Sequence, residues 1–209
     1  MFPLGTPLLP GAVLPLHVFE LRYRMMFDDV LHSPDQEFGV VLIERGHEVG
    51  GGDTRAEVGT MARVVRHEEF EDGRRAVVAV GDRRIRIGEW LDDDPYPVAM
   101  VDDWPESSTD TETIDTREIE SRLDVVVERF VTLLRRIDER APSLERRATS
   151  ESVDEYVYRV GSTLPIGPAD RQRLLEAADP DERLRRVVEA VEDLDAVVRF
   201  RLGPAGLDQ

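Results

Sequence analysis

Three residue types are missing from this 209-residue chain: cysteine, lysine and asparagine. Without cysteine the chain has no disulfide, no thiolate nucleophile and no Cys-ligated metal site. Without lysine it has no Walker A phosphate loop, no Ser–Lys dyad and no Schiff-base chemistry, because each of these needs an ε-amino group. The absence of asparagine also removes Cys-His-Asn constellations and N-glycosylation sites.

Long apolar runs are missing as well. No stretch approaches the roughly 18 apolar residues that identify a membrane span. Prolines at positions 3, 7, 10 and 15 interrupt the N-terminal stretch, and its first basic residue is Arg22, so it lacks the form of a secretory signal. These absences predict a cytoplasmic protein with no membrane partner.

The charge is strongly one-sided. The chain has 44 acidic and 27 basic residues, which gives a net charge of −17. Such a surface repels phosphate backbones on average, and this disfavours nucleic acid as a partner. A content of 41% apolar residues is enough for a core, and the length fits one large domain or two small ones.

Residues 1–105 have the patterns of short strands. Phe38–Ile43 is a continuous apolar run, which is typical of a strand buried on both faces. Asp72-Gly73 is a dipeptide favoured in two-residue turns, so residues 58–70 and 74–80 are predicted to form a hairpin. Further short strands are predicted at residues 84–87, with both isoleucines inward and both arginines outward, and at 98–101. Five or six such strands predict a closed or half-closed β-barrel.

The period of the apolar residues changes after the polar stretch 106–113. A 4-3-4-3-4 spacing predicts one long helix, with an apolar stripe formed by Ile119, Leu123, Val126, Phe130, Leu133 and Ile137. Ser152 and Glu155 form a capping-box pair before a second helix. Gly167-Pro168 and Asp179-Pro180 mark the starts of two more. We therefore predict an α+β protein, with a β-barrel subdomain at 1–105 and an antiparallel helical bundle at 106–209.

A series of short motifs, in order along the chain, resembles the LON N-terminal domain, the substrate-binding module of Lon proteases that also occurs alone in bacteria and within cereblon. The chain begins with Phe2-Pro-Leu, Pro10-Gly11, Leu14-Pro-Leu16 and Phe19-Glu20-x-Arg22-Tyr23. The later motifs are Val58-Gly59-Thr60-x-Ala62-x-Val64, Asp72-Gly73-Arg74, Gly81-x-x-Arg84-Ile85-x-Ile87, Pro95-Tyr96-Pro97, and Arg171-Gln172-x-Leu174-Leu175-Glu176 before the last helix. The resemblance covers nearly the whole chain.

This resemblance implies a PUA-like barrel followed by a helical bundle, and a protein that binds polypeptide without catalysing a reaction. Since the chain ends at Gln209 and has no lysine, we expect neither the ATPase nor the Ser–Lys peptidase activity of full Lon proteases. We expect no cofactor. The partner would be an unfolded segment or a partner protein, in a role linked to proteolysis, and a homo-oligomer is left open. Phe19, Tyr23 and Tyr96 are the predicted contact residues.

Other functions remain open at this point. An RNA-binding PUA-like module would use an arginine-rich hairpin face that contains Arg63, Arg74, Arg84 and Arg86, although the same arginines also fit cross-strand ion pairs. An unassigned hydrolase is the least favoured alternative, because no serine lies in a GxSxG motif. The four histidines have no zinc-site spacing, so no metal site is predicted. Gly50-Gly51-Gly52 is interpreted as a loop and Asp92–Asp94 as a solvated acidic turn.

Overall fold

The computed structural model describes residues 1–45, 54–105, 114–137 and 143–207. The chain divides into two compact units, Met1–Glu106 and Ser107–Gln209. The first unit contains strands β1 (Phe2–Leu4), β2 (Val13–Val18), β3 (Glu37–Arg45), β4 (Thr54–Glu69), β5 (Arg75–Trp90) and β6 (Ala99–Asp103), and helix α1 (Leu21–His32). The second contains helices α2 (Ile114–Ile137), α3 (Val153–Thr163), α4 (Pro168–Glu176) and α5 (Pro180–Leu207).

The strands of the first unit form one mixed, curled sheet, a half-barrel. The strand order is β1-β3-β4-β5-β2, and β6 also pairs with β5. β1 runs parallel to β3, whereas every other pair is antiparallel. The predicted hairpin is confirmed, because β4 and β5 are joined at the Asp72-Gly73 turn, where Gly73 has φ 76°. The predicted strands at 74–80 and 84–87 are one strand.

The first half of β5 pairs with β2 and its second half with β6. Ile85 is fully buried, as predicted. The predicted outward orientation of Arg84 is wrong, because this side chain is only 1% exposed. Its guanidinium lies over the Trp104 ring, 4.3 Å from the ring centroid, and an aromatic face stabilises a buried cation in this way.

The core of the first unit lies between α1 and the inner face of the sheet. α1 contributes Tyr23, Met26, Phe27 and Val30, which share one side of the helix. They pack against inward-facing residues of β2 to β5, namely Val18, Phe38, Val40, Ala62, Val64, Val77 and Ala79, and against Phe2 of β1. The opposite side of α1 therefore faces away from the sheet.

The predicted helix starts in the second unit are confirmed. Ser152 and Glu155 form a reciprocal capping box at α3, with bonds of 3.1 and 2.7 Å. Gly167 caps α4 with Pro168 in its first turn, and Asp179 accepts the Glu182 amide at the start of α5. α5 packs against α2, α3 and α4, and α3 packs against α4. The description of these helices as an antiparallel bundle, and of the barrel as PUA-like, stays a prediction.

One buried cation connects three of these helices. The Arg183 side chain of α5 is 0% exposed and forms an ion pair with Asp154 of α3. It also donates to the carbonyls of Leu174 and Ala177, at 3.2 and 3.4 Å, at the end of α4. Arg183 thus adds hydrogen bonds at the end of α4, where the Leu174 carbonyl also accepts from the Ala177 amide at 3.4 Å.

Candidate functional site

An apolar strip lies on the outward side of α1. Leu21 and Met25 are one helical turn apart and are 68% and 43% exposed. Phe19, two residues before Leu21, is 58% exposed. We call these three residues the α1 strip. Because the opposite side of the helix is fixed in the core, Leu21 and Met25 are presented on a rigid element, and Phe19 lies just before it.

The start of α1 has a local cause. Glu20 is extended, with φ −67° and ψ 136°, and its side chain makes no cap bond to the helix. Its carboxylate instead accepts from Arg22 Nε at 3.1 Å, and the Arg22 guanidinium lies 4.5 Å from the Tyr23 ring centroid. Phe19 directly precedes this N-cap residue, and its side chain is at the surface.

The structure separates the three predicted contact residues. Only Phe19 is exposed. Tyr23 is 5% exposed and belongs to the core, with its ring centroid 4.4 Å from that of Phe2. Tyr96 is partly buried against the same core, and its hydroxyl donates to Asp29 Oδ2 at 2.5 Å. This hydrogen bond raises the pKa of Tyr96 to about 12.

Sequence reasoning missed Leu21 and Met25. A signal for them was present, because these two apolar residues fall four apart on the side of α1 that does not carry Tyr23, Phe27 and Val30. An apolar pair on the outer side of an amphipathic helix is not needed for the core and therefore points to a contact surface.

The four arginines of the RNA alternative do not form one surface. Arg84 is buried. Arg74 is exposed and pairs with Asp72 at 2.7 Å in the turn. Arg86 is exposed, and its guanidinium lies 4.2 Å from the Trp104 ring centroid. Arg63 and Arg86 are both exposed and lie outside the ion pairs of the described residues. The RNA alternative gains no support.

Cross-strand ion pairs account for a neighbouring arginine instead. Arg83 bonds to Asp103 at 2.8 Å, Glu37 at 2.9 Å and Asp82 at 3.1 Å. The hydrogen bond with Asp103 is the main cause that raises the pKa of Arg83. Arg83 therefore makes ion pairs with residues of β3 and β6, whereas a cross-strand ion-pair face formed by Arg63, Arg74, Arg84 and Arg86 stays a prediction.

The sequence predicts no metal site among the histidines or in the acidic turn Asp92–Asp94. His17, His32 and His67 are exposed on different elements, and His47 and Gly50-Gly51-Gly52 lie outside the described residues. Asp92–Asp94 are exposed, and Asp93 pairs with Arg55 at 3.3 Å. Within the described ranges, no three histidine, aspartate or glutamate side chains gather closely enough to hold a metal ion.

The second unit has an open cleft of about 310 Å³ beside α2. Its floor contains Val127, Val131 and Tyr156, and its rim contains Asp124 and Arg146. The Tyr156 hydroxyl donates to Asp124 at 2.5 Å, and Arg146 lies 3.7 Å from the same carboxylate. Burial, followed by this hydrogen bond, raises the pKa of Tyr156. The polar groups of the cleft thus satisfy one another.

Known proteins share this fold. A Lon N-terminal domain protein from Xanthomonas campestris superposes with a TM-score of 0.65 and 27% identity, over 90% of this chain and 95% of that chain. The N-terminal domain of a Mycobacterium avium complex Lon protease gives a TM-score of 0.61 and 22% identity over 91% and 97%, which shows the fold alone. The fold is therefore that of Lon N-terminal domains.

Sequence relatives agree with this assignment. Lon protease 2 of Herpetosiphon aurantiacus is 30% identical over 88% of this chain and 22% of its own length. A LON peptidase N-terminal domain and RING finger protein of Schizosaccharomyces pombe is 24% identical over 97% of this chain and 47% of its own length. The chain thus spans less than half the length of either relative.

Residues 1–193 match the ATP-dependent protease La (LON) substrate-binding domain. The chain belongs to this family, and the resemblance seen in its motifs is confirmed. The family supports a substrate-binding role, and the match is to a domain that is itself non-catalytic. Among the helices that the structure describes, none combines the length and apolar character needed to cross a membrane.

Proposed function

We propose that this chain is a cytoplasmic, non-enzymatic domain that binds polypeptide, either an unfolded segment or a partner protein, through the α1 strip. The observation that carries the proposal is the exposure of Leu21 and Met25 on a helix whose other side is fixed in the core, together with the exposure of Phe19 just before that helix. Membership of a substrate-binding family supports it. Because several relatives are Lon proteases, we also infer a link to proteolysis.

The strip favours weak and reversible binding. Burying one large apolar side chain contributes about 1.5–3 kcal/mol, so three partly exposed ones supply only several kcal/mol. Association also costs translational and rotational freedom, which offsets much of this gain. A transient complex of this kind suits a domain that holds many different polypeptides and releases them.

The test uses immobilised protein and a reduced, alkylated polypeptide that cannot refold. We expect retention that persists at high salt, because apolar contacts are not screened by ions. A triple variant, Phe19→Ser with Leu21→Ser and Met25→Ser, is expected to lose most of this retention while it keeps its circular dichroism spectrum.

A matched control replaces three apolar residues of similar exposure elsewhere, by Leu91→Ser, Met100→Ser and Val125→Ser. These side chains are 42%, 60% and 58% exposed. The control is expected to retain the polypeptide like the unmodified protein. Equal loss in both variants, or no retention by the unmodified protein, would refute a role of the α1 strip.

A further inference from the structure

The outer side of the β2–β5–β4 sheet is a second apolar surface, on the opposite side of the sheet from α1. Strand pairing aligns the outward residues in three rows. Val13 of β2 lies beside Val80 of β5, Pro15 lies beside Val78, and His17 lies beside Ala76. Inward neighbours such as Val77 and Ala79 are buried in the core, which fixes the outward orientation of the other set. We call this surface the outer sheet face.

Large apolar side chains extend this face at both margins. Val13 is 64% exposed, and Val65, at a register shift of β4, is 55% exposed. Phe70 is 40% exposed, and its ring lies edge-on to His17 with centroids 6.2 Å apart. Exposed apolar residues that are continuous in this way identify an interaction surface.

Two arginines border the apolar rows on the β4 side. Arg63 lies opposite Val80 and Arg66 lies opposite Val78, and both are exposed. Glu37 is the cross-strand neighbour of Arg63 on β3, but its carboxylate bonds to Arg83. No ion pair among the described residues includes Arg63 or Arg66. On a chain of net charge −17, two such cations beside an apolar surface favour a partner that supplies carboxylates.

The free edge of β2 does not suit a bound strand. Gly81 accepts a hydrogen bond from the Gly11 amide and donates one to the Ala12 carbonyl. Since hydrogen-bonded and non-bonded pairs alternate in an antiparallel ladder, the next bonded pair is Leu14 with Ala79. Pro15 therefore lies at a position where a backbone amide would face the free edge of β2. Proline has no amide hydrogen to donate there and blocks strand addition. The face of the sheet, rather than its edge, is therefore the available surface.

We propose that the outer sheet face binds an amphipathic helix of a partner polypeptide whose apolar stripe is flanked by carboxylates. Three rows along a strand span about 14 Å, since alternate residues are about 6.8 Å apart. Between two and three helical turns, at about 5.4 Å each, cover this length. The carboxylates of the bound helix lie beside Arg63 and Arg66, at the rows of Val80 and Val78. Glu68 lies at the third row, opposite Ala76, where an acidic flank is repelled.

The probe is a synthetic helix of about 18 residues with a leucine stripe and glutamates on its flanks, measured by fluorescence anisotropy. A second peptide carries the same stripe with lysines in place of the glutamates. We expect the acidic peptide to bind more tightly than the basic one, with an affinity that falls as salt rises from about 50 to about 500 mM.

Three variants distinguish the surfaces. Arg63→Glu with Arg66→Glu, and Val13→Asp with Val65→Asp, are each expected to weaken binding of the acidic peptide by about tenfold or more. Met100→Asp, at a residue that is 60% exposed, is the matched control and is expected to change nothing. The triple α1-strip variant is expected to bind the acidic peptide normally, so this test and that of the proposed function fail independently.

Several results would overturn the proposal. Equal binding of the acidic and basic peptides would show that the arginines select nothing, and absence of binding would remove the helix as the occupant. Sedimentation analysis tests whether a second copy of the chain occupies the face. Concentration-dependent dimers that Val13→Asp with Val65→Asp abolishes would assign the face to a second copy of the chain instead.

Discussion

At the scale of single residues, Tyr96 shows how one hydrogen bond ties up a hydroxyl group and shifts its pKa. The sequence predicted Tyr96 as a contact residue, but its hydroxyl donates to Asp29 of α1 and its ring packs on the core. An acceptor carboxylate favours the neutral phenol, because the phenolate loses the proton that makes the bond. The pKa of Tyr96 therefore rises from 10.0 to about 12.

This shift predicts how Tyr96 titrates. A raised folded pKa means that neutral Tyr96 stabilises the folded protein fully below pH about 10, and that this contribution is lost as the pH rises through about 12. We expect the tyrosinate absorbance of the unmodified protein to include a component with a midpoint near pH 12, and this component to be absent from Tyr96→Phe. Asp29→Asn is expected to lower that midpoint, and a midpoint near 10 in the unmodified protein would contradict the assignment.

Arg63 and Arg84 show that the sequence does not reveal whether an arginine on a strand is buried or exposed. Both lie on long strands among other arginines, and the alternation of β5 predicted Arg84 to point outward. Arg84 is instead buried under Trp104, which approaches from beyond β6, whereas Arg63 remains at the surface. Strand periodicity describes two faces, but it does not say which face another segment covers.

At the scale of elements, the proline-containing N-terminal segment is held by β4 and β5. Leu8 and Leu9 are 6% and 1% exposed. The Thr60 hydroxyl donates to the Leu8 carbonyl at 2.6 Å, and Gly81 lies directly against the Leu9 carbonyl. The opening stretch is therefore a packed part of the first unit, positioned by two residues more than 50 positions away in sequence.

Gly81 is the sensitive point of this contact. A Cβ at this position would lie 2.5 Å from the Leu9 carbonyl oxygen, a backbone atom that cannot move away alone. We expect Gly81→Ala to lower the free energy of unfolding by about 1–3 kcal/mol, as overpacking does. Urea unfolding followed by the fluorescence of Trp90 and Trp104 measures this, since both lie in the first unit.

Gly88 supplies the control on the same strand. Its nearest neighbour would be the Met100 carbonyl oxygen at 3.5 Å, an ordinary contact, so Gly88→Ala is expected to stay within about 0.5 kcal/mol. Similar effects of the two substitutions would mean that the close approach of Leu9 to β5 does not limit stability.

At the scale of the whole molecule, the charge of −17 is the dominant property. Many carboxylates pair with arginines at the surface, and such pairs contribute little each. The excess of 44 acidic over 27 basic residues leaves a net repulsion that destabilises the compact state when ions are scarce. Screening should therefore relieve more repulsion than it removes attraction.

We accordingly expect the melting temperature to rise between about 10 and about 300 mM sodium chloride, because the Debye length falls below the spacing of surface charges. Choline chloride is the control, since it screens equally well without offering a small cation to the carboxylates. A melting temperature that falls with salt would mean that the ion pairs outweigh the net repulsion.

The sequence by itself determined the excluded chemistry, the family, the principal strands and the starts of helices α3 to α5. These follow from residue types and short-range patterns: a capping box, a turn dipeptide or an apolar stripe is complete within a few neighbouring residues. The tertiary structure alone decided that Tyr23 lies in the core and that Arg84 is buried, and it established the exposure that the spacing of Leu21 and Met25 only indicated. Exposure depends on which distant segment covers a side chain, and local pattern does not record that packing.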